Sequence, residues 1–205
     1  MDAVAAVIVD IVRSRALADR AGAQEAVLDA FARAERSADV VRPLGATVGD
    51  EFQGIYASLA DAIRVTTVAA LVLPDEVEVR AGIGLGEVVA VEGDISDGSA
   101  WWRAREAIEE AHRREDAGGE VRAWCVGGSG DHGGMASSTL LLRDHVLGRM
   151  KARERRIAAA LLEGERQSEI AARESISQAA VSQAAHRSGA IALRDALVVM
   201  SAVPA

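Results

Sequence analysis

The chain has one cysteine, Cys125, and one lysine, Lys151, among its 23 basic residues. It has three prolines, and aromatic side chains make up 3% of its 205 residues. A single cysteine excludes an internal disulfide framework and suits a reducing compartment. The four histidines, His112, His132, His145 and His186, share no metal-site spacing with that cysteine, which argues against a zinc site. The longest apolar runs, such as Val65–Leu73, fall far short of a membrane span. Asp2 stands where a secretory signal carries its basic residues. A cytoplasmic protein with no membrane partner is therefore expected.

Half of the residues are hydrophobic, which is enough for a buried core and excludes general disorder. The net charge of −8 is unevenly placed. Residues 1–146 hold 25 acidic and 14 basic side chains, whereas residues 147–205 hold 6 and 9, a net +3. A sign change of this kind predicts two units with different partners. The acidic part should not bind DNA non-specifically, and the tail can approach a phosphate backbone.

Along the chain, the Val- and Ile-rich run up to Asp10 reads as a buried central strand. Residues 19–38 have helical spacing, with Ala23, Val27, Ala30, Phe31 and Ala34 on one side. Val40–Val48 and Glu51–Ala57 read as strands joined at Gly49-Asp50, and Leu59–Leu73 as a helix stopped by Pro74. Val77–Leu85 and Glu87–Glu92 read as a further strand pair around Gly84 and Gly86, followed by a helix over Ser99–Glu115 capped by Ser99. Val121–Cys125 is one more strand, and Val126–Ser138 reads as a loop. The expected fold is α+β, a ferredoxin-like sandwich over residues 1–126. A linker and connecting helix (127–150) and an all-α unit (151–205) complete it.

Asp10 ends the first strand and Asp50 sits in the turn beside it, so both carboxylates are expected at one sheet edge. Two such carboxylates repel, and a divalent cation is the usual remedy. A cation there coordinates phosphate oxygens and offsets charge in phosphoryl transfer. The backbone after Asp10 (Ile11, Val12, Arg13, Ser14) is placed to wrap phosphates. Asp10-Ile11, then Gly49-Asp50, then Val79–Val89 with Gly82, Gly84 and Gly86 resembles the series in class III nucleotidyl cyclases. The resemblance implies Mg²⁺ or Mn²⁺ on Asp10, Asp50 and the Ile11 carbonyl, and Arg103 is a further nucleotide-contact candidate. More narrowly, Asp10-Ile11-Val12, residues 49–54 and residues 103–108 resemble the bacterial SatD family.

The sequence also departs from the cyclase pattern. Ala46 stands at the position of the base-recognising lysine, Trp102 at that of the asparagine, and Glu106 at that of the arginine, with Arg105 adjacent. The catalytic candidates are thus Asp10, Asp50 and Arg105, with the base-choosing and phosphoryl-stabilising positions lost. Trp101 and Trp102 cannot both point inward from one helix, so one of them is a candidate anchor for a homodimer.

The tail predicts three short helices, Ala152–Leu162, Ser168–Arg173 and Gln178–Arg187, the last capped by Ser177. Ala171, Ile176, Val181 and Ala184 fall where a helix-turn-helix needs close crossing and inward apolar contacts. The run from Ser168 to Ser182 resembles the sigma-factor and response-regulator versions, with Ser175 at the usual glycine. Ser177, Gln178, Ser182, Gln183, His186 and Arg187 are the DNA-contact candidates. These features predict a transcriptional regulator whose degenerate cyclase-like part binds a metal–nucleotide or phosphate ligand or dimerises. The alternative is an active nucleotidyl cyclase or nucleotide phosphohydrolase using Asp10 and Asp50.

Overall fold

The computed structural model describes residues 4–47, 49–92 and 95–202. In chain order these form β1 (Val4–Ile11), α1 (Arg20–Ala34), β2 (Val40–Ala46), β3 (Glu51–Tyr56), α2 (Leu59–Val72) and β4 (Val79–Gly86). There follow β5 (Val89–Glu92), β6 (Ile95–Asp97), α3 (Ser99–Asp116), β7 (Ala123–Gly127) and α4 (His132–Leu147). The chain continues with α5 (Ala152–Leu162), α6 (Gln167–Glu174), α7 (Gln178–Arg187) and α8 (Ala190–Ser201). The fold is α+β, with a five-stranded mixed sheet in the order β2-β3-β1-β4-β7. Strand β1 is central and antiparallel to β3 and β4, whereas β7 runs parallel to β4.

The alternation of side chains across β1 divides the core. Ala5, Val7, Val9 and Ile11 join the cluster under α1 and α2, which carries Val27, Phe31, Ile63 and Val68. Ala6 and Ile8 face α3 with Ile55, Trp101, Ala104 and Ile108. Asp10 continues this second row and therefore opens on the α3 side. Helix α1 starts where Asp19 accepts a bond from the Gly22 N–H, and α2 where Ser58 accepts one from Asp61.

Helix α3 lies unusually close to β4. A Cβ on Gly84 would sit 2.1 Å from the Ala100 carbonyl oxygen and 2.2 Å from the Ala104 nitrogen, and one on Gly82 2.3 Å from the Ala104 oxygen. This contact replaces the expected pairing of β4 with the strand after it. The glycines of β4 admit a helix, and β5 pairs instead with β6, a strand not anticipated from sequence. Ser99 is likewise the first helical residue rather than the cap, and its hydroxyl accepts a bond from the Glu87 N–H. Val48, expected at the end of β2, lies outside the described residues.

The stretch 126–138, expected as a loop, is the end of β7, a turn over 128–131 and the first half of α4. Glycine and serine disfavour this helix locally, but tertiary contacts override them. Ala136 and Leu140 are buried. Two turns apart on the same face, Ser137 exchanges bonds with the Cys125 N–H and C=O, and Asp144 accepts from the Arg122 and Ala123 N–H groups. Helix α4 thus satisfies backbone groups along β7 with side chains.

The tail carries a fourth helix, α8, beyond the three expected. The apolar cluster under α1 and α2 is continuous with Ile157, Ile170, Val181, Leu193 and Leu197. Arg155 donates to the Ala70 and Leu73 carbonyls at the end of α2, and Arg33 pairs with Glu163 at 2.6 and 2.8 Å. The C-terminal helices therefore sit directly on α1 and α2.

Candidate functional site

Asp10 lies opposite Glu51 of β3 and Arg80 of β4 at one end of the sheet. Both of its carboxylate oxygens accept from one Arg80 nitrogen, at 3.0 and 3.1 Å, and His112 of α3 approaches to 3.9 Å. Arg80 is buried and also binds Glu115. Burial pushes the Asp10 carboxyl above its ordinary value despite Arg80 and His112, and the Asp50 charge pushes the same way. Asp50 behaves oppositely. The Ser14 hydroxyl donates to its carboxylate and holds it below the ordinary value. Glu51 is held low by Arg105, which binds both of its oxygens at 2.6 and 2.8 Å.

The loop after β1 accounts for Ser14. Ile11 and Val12 are buried, and the Val12 N–H bonds to the Glu78 carbonyl at 2.9 Å. Arg13 then adopts a left-handed backbone (φ 53°), which turns the chain sharply and leaves its own side chain exposed. Asp10, Ile11, Val12, Arg13, Ser14, Asp50 and Arg105 consequently share one end of the sheet. Arg103 does not. It donates to the Leu85 carbonyl at 2.5 Å, five residues along β4 from Arg80, about 16 Å away at strand rise. Arg80, His112 and Glu115 escaped the sequence reading. The available signal was one charge, Arg80, inside an otherwise apolar strand.

As oxygen donors, the Asp50 carboxylate and the Ile11 carbonyl suit a hard cation. Asp10 suits it less well, because a buried guanidinium already balances its charge. Among the described residues no group of three or more His, Cys, Asp or Glu side chains is gathered for a metal.

Beside this edge a groove of about 430 Å³ is lined by Ile8, Gln53, Ser96, Trp101, Trp102 and Arg105. Trp101 is buried beneath the Arg42 guanidinium, whereas Trp102 is 66% exposed with its indole N–H bonded to Asp97. In the tail, α6 and α7 meet through Ser175 in a left-handed conformation. Ser177 caps α7 by accepting from the Ala180 N–H. Val181 and Ala184 point into the core. Gln178, Gln183, His186 and Arg187 are exposed, and Ser182 is half-buried. Arg187 donates to Glu154 at 3.1 Å.

The model of the SatD family matches residues 4–196. The chain belongs to the SatD family. No curated protein matches it. The SatD match runs from β1 into α8, so the sheet and the C-terminal helices fall within one family unit. Among the described residues of this SatD chain, no helix is long and apolar enough to cross a membrane.

Proposed function

We propose that this SatD-family chain is a DNA-binding transcriptional regulator in which α6 and α7 form a helix-turn-helix. The observation that carries this reading is the two-sided character of α7. Val181, Ala184 and Ala185 are buried while Gln178, Gln183, His186 and Arg187 stand open to solvent. Glutamine pairs bidentately with adenine in the major groove, and arginine reaches phosphate or guanine. The left-handed Ser175 supplies the sharp turn that such a pair of helices needs. Fluorescence anisotropy on duplex fragments from the protein's own locus tests the reading. Gln183→Ala is expected to relax sequence preference and Arg187→Ala to weaken binding. Equal affinity of the protein and both variants for all duplexes refutes it.

In this reading the sheet edge senses a metal–phosphate ligand such as a nucleotide with Mg²⁺ or Mn²⁺, held by Asp10, Asp50 and the Ile11–Ser14 backbone. Trp102, exposed beside that edge, is the anchor for a second copy of the chain. Mn²⁺ with a nucleoside triphosphate is expected to raise the melting temperature through linkage, and Asp50→Asn to remove the rise. A rise equal in the variant counts against the site. The enzymatic alternative uses the same two carboxylates, Asp10 and Asp50, to hold a divalent cation for phosphoryl transfer. Cyclic nucleotide formation or nucleotide hydrolysis abolished by Asp50→Ala decides for it.

A further inference from the structure

The reading face of α7 has one formal charge, on Arg187, and that guanidinium is tied to Glu154. Phosphate contacts supply most of the affinity of proteins for duplex DNA, so a SatD chain that binds DNA needs cations elsewhere. A groove of about 800 Å³ between the end of α2 and helices α5 and α6 supplies them. Arg33, Arg153, Arg155, Arg156 and Arg173 line it, against the two carboxylates of Asp75 and Glu174. Glu163 and Glu165 flank it as partners of Arg33 and Arg173. Even with these included, guanidinium groups outnumber carboxylates, on a chain whose net charge is −8.

The pairing inside the groove is uneven. Glu174 serves two arginines, Arg156 at 2.7 Å and Arg153 at 3.7 Å. Arg33, Arg153, Arg156 and Arg173 expose 44–58% of their side chains. Their carboxylate partners are 6–25% exposed, so a phosphate approaching from solvent adds to the open side of these guanidinium groups and leaves the carboxylates in place. Phosphate also offers guanidinium the same bidentate geometry with greater charge. The α6 wall of the groove ends at Glu174, immediately before the Ser175 turn that leads into α7. A polyanion lying in the groove therefore continues toward the start of α7.

We infer that the arginine groove between α2, α5 and α6 binds phosphate groups of a polyanion, and that its occupant is the backbone of the duplex whose bases α7 reads. The choice of occupant rests on the DNA-binding reading; the phosphate chemistry does not. Arg33 makes this surface a joint product of the α/β layer and the tail.

The test uses the full chain and the double variant Arg153→Gln/Arg173→Gln, which leaves Glu174 its closer partner, Arg156. Circular dichroism and a melting curve check that the variant folds. Anisotropy with a labelled duplex over a KCl series is expected to show a salt slope shallower by about 2 and affinity lower by about tenfold. In parallel, inorganic tripolyphosphate should raise the melting temperature of the wild type and not of the variant. If tripolyphosphate stabilises only the wild type and no duplex binds, the groove stands as a small-polyphosphate site and the DNA reading falls. Duplex binding with an unchanged slope and no tripolyphosphate effect overturns the groove and leaves the DNA reading intact. A folded wild type that responds to neither ligand removes both.

Discussion

Replacing Asp144 by alanine tests how α4 is fastened to the sheet. The carboxylate is 2% exposed and accepts four bonds. Two come from Arg143, at 2.9 and 2.6 Å, and two from the N–H groups of Arg122 and Ala123, at 2.7 and 3.0 Å. Alanine leaves a buried guanidinium with Thr66 as its remaining hydrogen-bond acceptor, and two backbone donors without acceptors. Breaking a buried ion pair costs about 3–5 kcal/mol. Each orphaned donor adds about 1 kcal/mol or more, and these losses overlap. The expected destabilisation is about 4–6 kcal/mol, a large part of the roughly 5–15 kcal/mol available to a domain. Asp144→Asn keeps an oxygen acceptor and should lose about half as much. Removing the stranded cation as well, in Arg143→Leu/Asp144→Ala, should recover about half of the alanine loss, because an apolar pair carries no desolvation penalty. Urea unfolding followed by circular dichroism measures all three variants. A loss below about 1 kcal/mol for Asp144→Ala, or a double variant no better than the single, refutes the argument.

Gly84→Ala places a methyl group against backbone atoms of α3 that cannot yield without moving the helix. A loss of about 3 kcal/mol or more in chemical denaturation is expected, and a change under 1 kcal/mol contradicts the packing described. Asp50 gives a pH signature. Its folded carboxyl is held below the ordinary 3.8 by Ser14, so its contribution is fully present above that value and is lost as pH falls through the depressed one. The stability difference between wild type and Ser14→Ala should therefore be largest near neutrality and shrink in acid. A difference independent of pH excludes the Ser14–Asp50 bond as its origin.

What could be read from the sequence follows the range of the forces involved. Strand β1 and helices α5 and α7 were legible because their apolar periodicity is local and strong, and Ser177 caps α7 as its position implied. The second half of helix α4 was legible as a connecting helix, but its first half was not, because Gly133, Gly134, Ser137 and Ser138 argue against a helix locally, while what holds it is the backbone of β7. The glycines of β4 misled for a related reason. A glycine that marks a turn and one that lets a helix approach look identical in one dimension. At the candidate edge the residues near Asp10 in sequence were found, together with Asp50 and Arg105. Arg80, His112 and Glu115 come from β4 and α3, and nothing local ties them to Asp10. Arg103 looked equivalent to Arg105, yet two residues of helical rotation turn it toward Leu85.

The side chains of α4 that engage β7 have a consequence for how copies of this protein can associate. A strand at the margin of a sheet ordinarily invites another chain to continue the ladder. Along β7, Ser137 and Asp144 already take hydrogen bonds that a newcomer would need. At the opposite margin, β2 pairs with β3 through two register shifts and carries Pro43, which has no N–H to offer. Sheet continuation from molecule to molecule is thereby blocked on one side and interrupted on the other. Growth of the five-stranded sheet from one molecule to the next is disfavoured by construction, and a partner meeting that layer is selected by side-chain chemistry on its faces and helices.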